Sequence, residues 1–96
     1  MSTATEDFHY DVLEILLKPK NNYVGMNCYD IFMQLKVDFD AVLLGISSKR
    51  EGKWNLTKNP GKEIIAQKGD YLILMSDGAT KKQLENSFGV TEGELT

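Results

Sequence analysis

Ile64-Ile65-Ala66-Gln67-Lys68-Gly69-Asp70-Tyr71-Leu72-Ile73-Leu74-Met75 joins a short apolar element to a longer one across a polar turn, and the architecture of the chain hangs on it. Lys68-Gly69-Asp70 punctuates the chain as a turn, since glycine and aspartate both suit tight backbone reversals. Tyr71 to Met75 is almost wholly apolar and too short for a helix, which predicts a strand. Ile64 to Ala66 forms a brief apolar element on the near side of the turn.

Upstream, Ala41-Val42-Leu43-Leu44-Gly45-Ile46 is a second continuous apolar run, as expected of a strand covered on both faces. Ser47 to Lys53 is polar and reads as a hairpin turn, with Trp54 and Leu56 on the return strand; Asn59-Pro60-Gly61 then breaks the chain. Tyr10 to Leu17 predicts a first strand, with Leu13, Ile15 and Leu17 on one face and Glu14 interrupting the other. Between them Asn27 suits a helix N-cap, with Asp30 in the first turn and Met26 and Ile31 spaced for a hydrophobic staple. Cys28, Ile31, Phe32 and Leu35 recur at helical spacing and form one apolar stripe. Downstream, Thr80 and Gln83 fit a capping box, Leu84 and Phe88 supply apolar contacts, and Gly89 suits a left-handed cap.

The order of strand, helix, several strands and late helix gives an α+β class: a small mixed β-sheet, a short helix packed on it and an additional C-terminal helix. The expected core is Leu13, Ile15, Leu43, Ile46, Leu72 and Leu74, with Phe32 and Leu35 over it. Residues 1–9 read as an arm or a remnant of expression, 10–79 as the domain, and 80–96 as an appended helix and tail.

Composition narrows function. The 96 residues suffice for one domain, and 42% hydrophobic with 26% charged is an ordinary globular balance. A net charge of −3 with scattered cations disfavours nucleic-acid binding, which needs clustered positive charge. A single cysteine, Cys28, leaves no intramolecular disulfide or Cys-rich zinc site. No apolar run is long enough to cross a bilayer, and the polar start is no signal peptide.

These elements, in this order, resemble the C-terminal lobe of the domains that regulate conductance of potassium channels and transporters (RCK, or TrkA-C). The resemblance rests on Tyr23-Val24-Gly25-Met26-Asn27 before the helix, the strand ending Gly45-Ile46, the turn at Asn59-Pro60, and the Gly69-Asp70 turn before an apolar strand. The run from Asn59 to Met75 looks most like potassium channel subunits. Family members often carry an Arg directly after the strand at Gly45-Ile46, where this chain has Ser47-Ser48-Lys49-Arg50, and the helix from Lys81 to Phe88 extends beyond the family pattern. The phosphate-cradling G-x-G-x-x-G of the lobe that usually precedes this module is absent.

The resemblance implies a cytosolic regulatory and dimerisation module of a potassium channel or transporter, attached to a pore-forming or nucleotide-binding part and coupling ligand or assembly state to conductance. It implies a homodimer and a small regulatory ligand, calcium or a nucleotide, with no cofactor and no direct membrane insertion. The alternative is a freestanding small-ligand-binding β-rich protein unrelated to transport. No enzyme is expected. His9 is the sole histidine, so no His-based triad or multi-His metal site can form, and Cys28 on the helical stripe reads as a small hydrophobe. The carboxylates Glu6, Asp7 and Asp11, and separately Asp38 and Asp40, lack EF-hand spacing, so no metal site is assigned. Lys49, Arg50 and Lys53 on the hairpin are the candidate contacts for an anionic ligand. Tyr23, Val24, Met26, Tyr29 and Met33 are the candidate dimer interface, because aromatics and Met are enriched in interface cores.

Overall fold

The computed structural model describes residues 10–89, Tyr10 by its backbone alone. Glu6, Asp7, His9 and the tail from Thr91 to Thr96 lie outside the described residues. Six elements run in the order β1 (Tyr10–Leu16), α1 (Cys28–Phe39), β2 (Val42–Arg50), β3 (Lys53–Lys58), β4 (Tyr71–Asp77) and α2 (Gly78–Phe88). The strands form one sheet in the order β1-β4-β2-β3, and every pairing is antiparallel. The α+β class therefore holds with an antiparallel sheet in place of a mixed one. β4 sits between β1 and β2, which makes the apolar Tyr71–Met75 run an interior strand.

Alternation along the strands separates two faces. Leu13, Ile15, Leu43, Ile46, Leu72 and Leu74 are buried on the inner face with Ile31 and Leu35 of α1, as the sequence led us to expect. Phe32 does not join them; it is 36% exposed, because the inward stripe of α1 is only Cys28, Ile31 and Leu35. Leu84 and Phe88 of α2 are also buried in this core, where Phe88 meets Tyr23 edge to face at 5.4 Å and Phe39 at 6.4 Å. The helix read as an addition thus contributes two side chains to the same core. Its N-cap is Asp77, not Thr80: Oδ1 of Asp77 accepts from the Thr80 amide at 2.9 Å and the Thr80 hydroxyl at 2.7 Å. Those two hydrogen bonds hold the Asp77 carboxyl below its ordinary range. Gly89 closes the helix in the left-handed conformation at φ 66°, and Lys18 Nζ donates to its carbonyl at 2.5 Å.

The hairpin turn is tighter than the polar run from Ser47 to Lys53 suggests. β2 continues to Arg50 and reverses in two residues, Glu51 and Gly52, at φ 53° and 79°. Two successive positive φ values match the right-handed twist of paired strands. β2 also bulges at Leu44: Leu43 faces Leu74 while Gly45 faces Ile73, so one extra residue is accommodated. At Gly45 the β3 backbone passes so close that a Cβ would lie 2.9 Å from the Thr57 carbonyl oxygen.

The Gly69-Asp70 turn locks the ends of β1 and β4 together. Gly69 adopts φ 88°, its amide donates to the Leu17 carbonyl, and the Leu17 amide donates to the Asp70 carbonyl, both at 2.8 Å. The Asp70 carboxylate, only 6% exposed, accepts from the Gln67 amide at 2.8 Å. Ile64 to Ala66 pairs with the segment before α1: Gly25 donates to Ala66, Ala66 to Met26, and Cys28 to Ile64. The start of α1 is thereby tied to the turn that feeds β4.

Candidate functional site: two exposed surfaces

α1 turns a second apolar stripe outward. Tyr29, Phe32, Met33 and Val37 are 45%, 36%, 50% and 78% exposed. The 29-33-37 spacing aligns three of them along one face of the helix. Lys62 Nζ lies 5.2 Å from the Tyr29 ring centroid, a cation–π contact that fixes the ring at the stripe's edge. Of the residues expected at an interface, Tyr29 and Met33 belong to this stripe. Val24 and Met26 are half-buried against the core.

Tyr23 is withdrawn from the surface altogether, 6% exposed and packed on Phe88. Its hydroxyl donates to Asp38 Oδ2 at 3.4 Å, and Gln34 Nε2 donates to Asp38 Oδ1 at 2.9 Å. Burial, then the adjacent Asp38 carboxylate, pushes the Tyr23 phenol up to about 12. Burial likewise pushes the Cys28 thiol up to about 11, aided by Asp70 and Glu63, so it stays protonated and unreactive near neutrality. Asp40 pairs with Lys36 at 2.8 Å. Among the described residues no three His, Cys, Asp or Glu groups converge as a metal site would require.

The second surface is the outer sheet face, which no element among the described residues covers. β3 pairs register by register with β2, setting Lys49 opposite Trp54 and Arg50 opposite Lys53. Side chains directly opposite share a face, so the three hairpin cations are split. Lys49 joins Trp54 on the outer face, while Arg50 and Lys53 face the other way. The Trp54 ring meets Tyr71 of β4 edge to face at 5.4 Å. Two open depressions adjoin this aromatic pair. Lys49 and Lys68 line one, and Glu14 and Ser47 line the other. Lys68 and Tyr71 escaped the sequence reading because they lie some 20 residues from Lys49 in the chain. The signal that could have found them is the alternation of β4, which puts Tyr71, Ile73 and Met75 opposite to Leu72 and Leu74.

No protein-family model and no curated protein matches the chain. Solved structures do. The RCK_C domain dimer of S. agalactiae BusR in complex with c-di-AMP is similar at a TM-score of 0.58 and 18% identity, over 79% of this chain and 92% of that one. The GsuK RCK domain is similar at a TM-score of 0.65 and 17% identity, over 91% of this chain. S. agalactiae BusR in complex with its busAB-promoter DNA is similar at 0.58 and 18% identity, over 80% of this chain. The architecture is thus that of a small α+β module, and its fold is that of an RCK C-terminal domain. The chain spans 18% of the GsuK structure and 35% of the promoter-bound BusR chain, so in both relatives this fold is one part of something larger.

Proposed function

We propose that the chain is a non-enzymatic regulatory module that homodimerises through the outer stripe of α1 and transmits the presence of a small ligand to a potassium channel or transporter on the cytosolic side. The observation that carries this reading is the stripe itself. Four large apolar side chains along one helix face, none covered by the other described residues, favour burial against a second copy. A two-fold contact would place each of them twice in one interface. The RCK_C fold supports the reading, since the BusR structure of that fold is a dimer holding c-di-AMP.

For the ligand, a nucleotide is favoured over calcium. The described carboxylates do not converge, and Asp38 and Asp40 already have partners. Coupling requires only that the ligand bind one dimer arrangement better than another. BusR, solved on promoter DNA, widens the choice of attached part from a pore to a DNA-binding segment. The scattered cations argue against DNA contact by this module itself.

The test is a thermal-shift titration with cyclic dinucleotides, mononucleotides and calcium, run with sedimentation equilibrium. Stabilisation by a nucleotide together with a dimer mass supports the proposal. A monomer at high micromolar concentration that no nucleotide stabilises rules it out.

A further inference from the structure

The outer sheet face carries a recognisable chemistry at its β2–β3–β4 corner. Trp54, 51% exposed, is the chain's only tryptophan, and with Tyr71 it forms an aromatic platform. A surface tryptophan held by an edge-to-face partner is a rigid stacking surface, because its ring is oriented before a ligand arrives. The charge around it is polarised. Lys49 and Lys68 line the depression on one side of the pair, and neither ammonium group has a hydrogen-bond or ion-pair partner among the described residues. Glu14 lines the depression on the other side with Ser47. The Asp70 carboxylate, also at the lysine side, is committed to the Gln67 amide.

A ligand complementary to this order has three parts. It has a flat ring to stack on Trp54, an anionic group to meet two ammonium groups, and an amine at the far edge of the ring to donate to a carboxylate. We infer that this corner is a binding site for a nucleotide whose base bears an exocyclic amine, with the base over Trp54, the phosphate at Lys49 and Lys68, and the amine toward Glu14. The site deepens the ligand half of the proposed function and does not depend on the dimer half, since it lies across the sheet from α1. Two lysines suit one phosphate group. A nucleic-acid strand would need a longer cationic track, which this chain of net charge −3 does not provide.

Trp54 makes the test direct, because any fluorescence quenching is read from the site itself. Adenosine 5′-monophosphate should quench Trp54 saturably. Ribose 5-phosphate should not quench, and adenosine, lacking the phosphate, should bind about tenfold more weakly, as loss of a charge-assisted contact implies. Uridine 5′-monophosphate, which has no exocyclic amine, should also bind more weakly, and Glu14→Gln should narrow that gap. Lys49→Gln with Lys68→Gln, both at the surface and harmless to folding, should weaken adenosine monophosphate about tenfold. No saturable quenching at millimolar nucleotide, or quenching indifferent to the two lysine substitutions, overturns the site. So does tighter, length-dependent binding of an oligonucleotide. A cyclic dinucleotide that still stabilises the Lys49→Gln/Lys68→Gln protein places its ligand elsewhere. That outcome removes this site and leaves the proposed function standing.

Discussion

The two faces of one sheet are built from alternate residues of the same strands, yet they have met opposite fates. On the inner face Ile15, Ile46, Leu72 and Leu74 are at most 1% exposed under α1 and α2. On the outer face Val12, Trp54 and Leu56 are 64%, 51% and 54% exposed, though they are just as apolar. Hydrophobicity alone therefore does not tell which face is the core. Coverage does, and coverage is decided by where the two helices land.

That difference has consequences of graded size. The largest is expected for Leu72→Ala, which should cost about 2–5 kcal/mol in denaturant unfolding, the range for truncating a fully buried leucine. A loss below about 1 kcal/mol would break the assignment of the inner face. Leu84→Ala should fall in the same range or just below it, since Leu84 is also fully buried. An effect near zero would return α2 to the status of an appendage, the boundary at residues 79 and 80 that the sequence suggested.

A smaller effect follows from Tyr23 and Cys28, whose burial keeps the neutral form in the folded state. Both groups ionise in the unfolded chain first, at their ordinary values of 10.0 and 9.0. Stability should thus be unaffected by them below about pH 9, and fall above it through about 11 and about 12 as the folded groups ionise in turn. Tyr23→Phe should flatten the upper part of that fall. The smallest effect is expected at Val12→Thr on the outer face, within about 0.5 kcal/mol of wild type. A loss of several times that would mean the outer face is covered in solution.

Much of the inner face was legible because local chemistry and period agree there. Asn27 caps α1, accepting from the Asp30 amide at 2.9 Å, and Gly69-Asp70 turns into β4, as their residue types dictate. Phe32 was misjudged because helical spacing names a stripe but not its width, and the inner face had room only for Cys28, Ile31 and Leu35. Tyr23 reads as a loop residue, and only Phe88, 65 positions away, explains its burial. The run from Ala41 to Ile46 suggested a strand covered twice; the bulge at Leu44 and its outer face, uncovered among the described residues, show that an apolar run does not certify two neighbours. Of the hairpin cations, Lys49 alone shares a face with the aromatic pair, a consequence of register that no local pattern encodes.

Two exposed apolar surfaces, the α1 stripe and the outer sheet face, compete as the place where a second copy sits. One charged substitution on each decides between them. Met33→Glu and Leu56→Glu alter side chains 50% and 54% exposed, so both variants should keep the wild-type far-ultraviolet circular dichroism. Sedimentation equilibrium of the two variants beside the wild type is then the most direct measurement. The wild type should be a dimer, Met33→Glu a monomer and Leu56→Glu a dimer. A wild-type monomer at high micromolar concentration, or a dimer that survives Met33→Glu and dissociates with Leu56→Glu, would rule out dimerisation through α1.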